Sequence, residues 1–204
     1  ELAGDEPGTE IVAHIDTGYS NDFTPEHGNQ AASSIANTMR VLSGVDLVFM
    51  QSCYVANDIY VGDYSQKDLG YIAKNDGGWP GLMELTGDQI YTLVERTLSM
   101  TGNRGAVCND STLYVSSGFE MDITKNDSGY TLNALTIDGK ELDRNASYSF
   151  LIYGDRDWYM SDVMEQMGVS EVDSTGPKAE GYLLQRLVEE GEQLEPPTDY
   201  ITLR

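Results

Sequence analysis

The sequence predicts a mixed α/β fold of the α+β kind, and three observations predict it. In the first half of the chain, short apolar runs of strand length alternate with apolar sets at helical spacing. Past Gly105 the apolar period falls to two, and Asp- and Gly-bearing turns punctuate that second stretch. With 204 residues, 40% of them hydrophobic, the chain suits one domain able to bury a core. Residues 11–204 read as that single domain, behind an acidic, Gly- and Pro-bearing linker over residues 1–10. An opening at Glu1 with no initiator Met leads us to expect a piece of a longer protein.

Residues 11–15, Ile-Val-Ala-His-Ile, are expected as a strand, followed by a polar loop over 17–28. Ala31, Ala32, Ile35, Ala36, Met39 and Leu42 recur at helical spacing, which predicts a helix with one buried face, and Gly44 supplies its stop. The compact run 45–50 reads as a strand. Val61-Gly62-Asp63 reads as a turn into a short helix over 65–73, with Ser65 as N-cap and Asp68 at the capping-box position. Asn75-Asp76-Gly77-Gly78 is a breaker, and Leu82-Met83-Glu84-Leu85 then enters a strand ending at Thr86-Gly87. Asp88 is placed to cap a helix whose core face is Ile90, Leu93, Val94 and Leu98.

Beyond Gly105, Leu113/Val115, Phe119/Met121/Ile123, Leu132/Leu135/Ile137 and Phe150/Ile152 mark antiparallel strands. Asn126-Asp127-Ser128-Gly129 and Asp138-Gly139 supply turns between them. A helix is expected over 158–167, and a last helix turns Leu183, Leu184, Leu187 and Val188 inward until Pro196-Pro197 stops it. Ile201 and Leu203, on alternate positions, predict an edge strand packed back beside early elements.

Twelve Lys and Arg against 34 Asp and Glu leave a formal charge of −22. A nucleic-acid backbone or an anionic bilayer surface is held by clustered cations, so this balance argues against both as partners. No apolar run is long enough for membrane insertion. The two histidines are His14 and His27, and the sequence contains no H-E-x-x-H, C-x-x-C, G-x-S-x-G or P-loop pattern. A dimetal phosphoesterase needs several converging His, Asp and Asn ligands. The sequence therefore assigns no catalytic residue and no metal ligand, and no activity is expected of this chain alone. His14 and Asp16 share a strand face but read as exposed surface rather than a metal site. Asp155-Arg156-Asp157 and the 126–129 segment read as solvated turns rather than calcium loops. Cys53 and Cys108 are either disulfide partners, as in exported chains, or small buried residues.

Several blocks in fixed order carry a family resemblance. They are Glu26-His27-Gly28-Asn29 into a helix, Asp46-Leu47-Val48-Phe49, Gly62-Asp63-Tyr64-Ser65, and Met83 through Ile90 with its Leu85-Thr86-Gly87-Asp88 centre. Leu113-Tyr114-Val115-Ser116-Ser117-Gly118 leading into Met121-Asp122, Ile137 through Asp143 followed by Tyr148, and the Leu-rich helix, proline pair and short final strand complete the set. Across about residues 10 to 204 these blocks resemble the C-terminal domain of the 5′-nucleotidase family. The resemblance implies a layered fold of two packed sheets with helices outside. It also implies a substrate-binding role beside an N-terminal metallophosphoesterase domain. The divalent metal ions would reside in that other domain, with no cofactor in this chain, and the protein would be secreted, periplasmic or at the cell surface, as in bacterial members.

The same resemblance places the binding motifs where this chain departs from them. The family's Asn-Gly-Gly-Gly-Ile-Arg-like loop corresponds to Gln51-Ser52-Cys53-Tyr54-Val55-Ala56-Asn57, without the glycine run or the arginine. The Pro-Phe-Gly site of base stacking corresponds to Asn75-Asp76-Gly77-Gly78, with Trp79 the nearest aromatic, and the later Gly-Gly-Asp-Gly-aromatic motif to Asp155-Arg156-Asp157-Trp158-Tyr159. The candidate substrate-binding residues are therefore Gln51, Ser52, Asn57, Asn75, Trp79, Ser117, Gly118, Asp155, Trp158 and Tyr159. The expected ligand is a nucleoside or nucleotide-like small molecule. Two functions stay open: the binding domain of a 5′-nucleotidase-like hydrolase, or a non-catalytic extracellular binding or structural module.

Overall fold

The computed structural model describes residues 8–73, 78–99, 114–127, 129–156 and 163–204. The chain enters through β1 (Ile11–Ile15). The expected polar loop then contains a small antiparallel pair, β2 (Phe23–Thr24) and β3 (Gly28–Asn29). Helix α1 (Gln30–Ser43) starts at Asn29, whose side chain accepts the Ala32 N–H, and ends at Gly44 in the left-handed region, whose N–H donates to the Arg40 carbonyl. β4 (Leu47–Gln51) follows, buried along its whole length.

The segment read as a turn at Val61-Gly62-Asp63 is instead largely a strand, β5 (Gly62–Ser65), pairing antiparallel with β1. Gly62 adopts a positive φ of 144° at the strand's start, which explains the turn-like sequence. α2 (Gln66–Ile72) carries the expected capping box: Ser65 Oγ accepts the Asp68 N–H and the Asp68 carboxylate accepts the Ser65 N–H. β6 (Gly78–Thr86) begins earlier than the Leu82 start expected. The cap of α3 (Gly87–Ser99) is Thr86 rather than Asp88. The Gln89 amide oxygen accepts the Thr86 N–H at 2.9 Å, and Thr86 Oγ1 accepts the Gln89 N–H at 3.3 Å. Asp88 sits in the helix's first turn and pairs with Arg144 at 2.9 Å.

The second half supplies β7 (Tyr114–Ser117), β8 (Glu120–Asn126), β9 (Gly129–Ile137), β10 (Lys140–Glu141) and β11 (Ser147–Asp155). β8 and β9 pair through a bulge: Met121 faces Leu135 but Ile123 faces Leu132, so Asn133 is the extra residue. The bulge accounts for the three-residue step between Leu132 and Leu135 in an otherwise period-two stretch. A helical turn at Glu165–Met167 ends at Gly168, and α4 (Ala179–Leu184) widens into a π turn over Gln185–Glu189. That widening shifts the inward face. Leu183 and Leu187 are buried, Leu184 is half-buried, and Val188 is 40% exposed rather than inward as expected. The helix also ends well before Pro196-Pro197, with Gly191 at a φ of 68° just beyond it. β12 (Ile201–Leu203) closes the chain.

Two four-stranded sheets organise these elements, in the orders β6-β11-β4-β7 and β10-β9-β8-β12. In the first, β11 runs parallel to β4 and antiparallel to β6, and β7 runs antiparallel to β4. The apolar continuity of β4 and of Phe150 to Tyr153 in β11 follows from burial on both faces. α1 packs on β4 and β7, and α3 on β9 and β6. The final strand pairs in parallel with β8 rather than beside early elements. It is the stretch just before it, 195–199, that lies along α1.

Several expectations fall outside the described residues: most of the 1–10 linker, the 75–77 part of the breaker, Leu113, Ser128 in its turn, Cys108 and with it the disulfide alternative, and the start of the helix expected over 158–167.

Candidate functional site

The site is built where the neighbouring parallel strands β4 and β11 end. In sheets of this kind the loops leaving the carboxyl ends of parallel strands converge on a ligand. Trp79 of β6 stands opposite Gly154 of β11. Tyr153 is in register with Met50, so Gly154 and Gln51 are the next neighbours, and Gln51 of β4 stands opposite Tyr114 of β7. Cross-strand neighbours share a face of the sheet. Trp79, Gly154, Gln51 and Tyr114 therefore form one row across all four strands at one edge.

The residue types in that row have physical consequences. A Cβ placed on Gly154 would lie 3.3 Å from Gln51 Oε1 and 3.4 Å from the Tyr114 hydroxyl, so glycine keeps a gap between an aromatic and an amide. At Gly78, a Cβ would come within 2.6 Å of the Tyr153 ring. That ring is fixed by an edge-on contact with Tyr54 at 5.7 Å and by the Ala179 N–H, which donates to its hydroxyl at 3.1 Å. Gln51 is 6% and Ser52 2% exposed. Gln51 Oε1 and Ser52 Oγ have no hydrogen-bond partner among the described residues. A buried polar atom without a partner costs about 1–3 kcal/mol, so an ordered water or a polar ligand group is a favourable partner for these two. At the row's outer end the Trp79 ring is 41% exposed, with Lys178 Nζ 4.6 Å from its centroid.

The structure brings together only part of the residue set expected from sequence. Gln51, Ser52, Trp79 and Asp155 share this edge, Asp155 lying opposite Gly78 at the end of β11. Ser117 and Gly118 do not join them, because Ser117 pairs with Val48 at the far end of β7. There the Ser117 hydroxyl accepts a hydrogen bond from Arg40 Nε at 3.0 Å. Gly118 takes a φ of +86° where a Cβ would strike the Asp46 carbonyl at 2.4 Å, so no side chain fits there. Asn57 also turns away, its amide donating to the Tyr71 carbonyl at 2.6 Å beside a separate hollow of about 250 Å³. In that hollow the Asn21 N–H, and then the Tyr60 hydroxyl, hold the Asp58 carboxyl below its usual range. Asn75, Trp158 and Tyr159 lie outside the described residues.

Gly154 and Tyr114 were not among the residues expected at the site. A glycine inside the strand run 147–155 signals a close approach of something to the backbone, and could have marked the first. Lys178 carried no sequence signal. His14, on an exposed strand face, lies 2.6 Å from Asp63 on the paired strand, and that hydrogen bond raises its pKa above the ordinary value. Among the described residues no three His, Cys, Asp or Glu side chains converge to hold a metal ion. No described helix is long and apolar enough to cross a membrane.

Comparison with known proteins bears on the family and the fold. The family described as the 5′-nucleotidase C-terminal domain matches residues 11–154. Among solved structures, a 5′-nucleotidase precursor from Thermus thermophilus superposes with a TM-score of 0.72 at 12% identity, covering 95% of this chain and 39% of that one. The Haemophilus influenzae NAD nucleotidase gives 0.73 at 16% identity, covering 97% and 38%. A Thermus thermophilus sulfate thiohydrolase in complex with glycerol gives 0.71 at 16% identity, covering 99% and 36%. The chain thus spans well under half the length of these structures, and at such identities the likeness is one of fold. A search of curated proteins found no match. With residues 11–154, well over half of its length, matched by the family's model, the chain belongs to the 5′-nucleotidase C-terminal domain family.

Proposed function

We propose that this chain is the substrate-binding domain of a 5′-nucleotidase-like metallophosphoesterase. The dimetal catalytic domain would be a separate, N-terminal part of the same protein, holding the divalent metal ions. The parent protein would act outside the cytoplasm, as a secreted, periplasmic or cell-surface hydrolase. The observation that carries this reading is the row at the carboxyl edge of β4 and β11. An exposed indole, a glycine gap and a buried amide stand together there, and Gln51 Oε1 and Ser52 Oγ have no hydrogen-bond partner among the described residues. A purine or pyrimidine stacked on Trp79 gains about 1–3 kcal/mol, and polar groups at the edge orient its sugar.

The nucleotide-binding motifs have diverged in this reading. The loop after β4 has no Lys or Arg between Arg40 and Lys67, so it offers no guanidinium to a phosphate. The loop after β4 therefore meets the nucleoside part of the ligand, and the chemistry on the phosphate belongs to the catalytic domain. Titration of the purified chain with adenosine, guanosine, uridine and cytidine, followed by calorimetry and tryptophan fluorescence, tests this. Saturable binding of at least one nucleoside, lost in Trp79→Ala, is expected. No binding of any of them at millimolar concentration would favour the non-catalytic module.

A further inference from the structure

Lys178 lies immediately before α4 and places its ammonium 4.6 Å from the centre of the Trp79 ring. The backbone beside it is tightly positioned. A Cβ on Gly176 would touch Leu82 and Pro80 at 3.3 and 3.4 Å, so the segment leading to Lys178 lies directly along β6. The Ala179 N–H donates to the Tyr153 hydroxyl, which fixes the start of α4 against the same sheet edge. Lys178 is thus held where a ligand stacking on Trp79 would arrive, in a chain whose formal charge is −22. Such a surface repels any phosphate that is not met by a local cation.

We propose that Lys178 is the specificity-determining residue of the strand-edge site, pairing with the anionic phosphate of a nucleoside monophosphate whose base stacks on Trp79. This rests on the function proposed above and assigns a role the loop after β4 lacks the residues to fill. In the ligand-free chain the ammonium covers the indole face through a cation–π contact. An arriving base displaces it, and the stacked base returns more than the exposed cation–π contact it replaces. The four-carbon stem keeps the displaced ammonium beside the ligand, where it meets the phosphate as a point charge.

The test is the ratio of the adenosine to the AMP dissociation constant. It is measured by calorimetry on the full chain, Lys178→Met and Lys178→Arg at 0.15 M salt, with Trp79→Ala as the site control. Lys178→Met is expected to lower that ratio about tenfold, the size of one charge-assisted contact, while adenosine binds as tightly as before or more so because the ring is uncovered. Lys178→Arg is expected to keep the ratio. Adenosine binding with an unchanged ratio in Lys178→Met would overturn the role of Lys178 and leave the nucleoside site standing. Absence of both ligands' binding in the unaltered chain would overturn the site itself, and the role of Lys178 with it.

Discussion

Tyr200 joins the two ends of the chain through one oxygen. The Asn29 N–H donates to its hydroxyl at 2.8 Å, and its ring lies so close to Gly28 that a Cβ there would approach within 2.5 Å. Tyr200→Phe leaves the buried Asn29 N–H without its acceptor, at a cost of about 1–3 kcal/mol, and should lower the melting temperature by roughly 2–10 °C. Calorimetric melting of the two proteins checks this. Two buried phenols also set an alkaline limit. Burial, helped by the neighbouring Tyr153, pushes Tyr182 up to about 12 from 10.0, and burial pushes Tyr200 up as well. Both folded values lie above the unfolded value. Their stabilisation is therefore complete below pH 10 and declines as pH rises above it, that of Tyr182 being lost through about pH 12. Urea midpoints should hold steady to about pH 9.5 and then fall, and Tyr182→Phe should flatten the fall. At this scale the sequence was partly legible. Thr86 and Gln89 spell a capping box, but Asp88, two positions on, is an equally suitable capping type, so residue preference alone could not choose.

Among the elements, α1 shows most clearly what a one-dimensional pattern conceals. Its apolar face was readable from Ala31, Ala32, Ile35, Ala36 and Met39, while Ser33, Ser34, Asn37 and Thr38 carry the residue types of a solvated face. Those four are buried as well, because the segment before β12 lies along them. Ser33 Oγ donates to the Thr198 carbonyl and accepts the Thr198 N–H, at 2.9 and 3.0 Å. Ser34 Oγ donates to the Glu195 carbonyl, and the Asn37 amide donates to the Pro196 carbonyl. Thr38 Oγ1 accepts the Glu195 N–H at 3.0 Å. The polar side chains supply the partners that an irregular, proline-bearing backbone cannot find in a sheet. Truncation after Glu195 removes β12 from its pairing with β8 and takes from Ser33 and Asn37 their Thr198 and Pro196 partners. The expected outcome is a fall in melting temperature of roughly 10 °C or more. An unchanged melting temperature would mean the tail contributes nothing to the sheet. The β8–β9 bulge is a second lesson of the same kind: the strands were legible, but a broken period does not reveal which residue is extra.

At the scale of the whole molecule, charge and site composition together decide what the chain can do with AMP. In the function proposed above, the resemblance implies a stacking ring at the position of Asp76 and an arginine in the 51–57 loop, and the sequence has neither there. Exchanging an aromatic ring for a carboxylate forfeits the stacking energy and adds repulsion toward phosphate. Losing both contacts amounts to several kcal/mol, or at least two orders of magnitude in affinity. A single lysine over Trp79 recovers only part of that, and a net −22 works against it at low salt. AMP should therefore bind the isolated chain more weakly than about 10 μM by calorimetry. Added divalent metal should release no phosphate from it, since two separated histidines, each paired with an aspartate, do not make a dimetal centre. Binding tighter than that, abolished by Trp79→Ala, would mean that the row across β6, β11, β4 and β7 rebuilds the lost affinity from different residues. Metal-dependent phosphate release from AMP would place chemistry in this domain that its side chains give no account of.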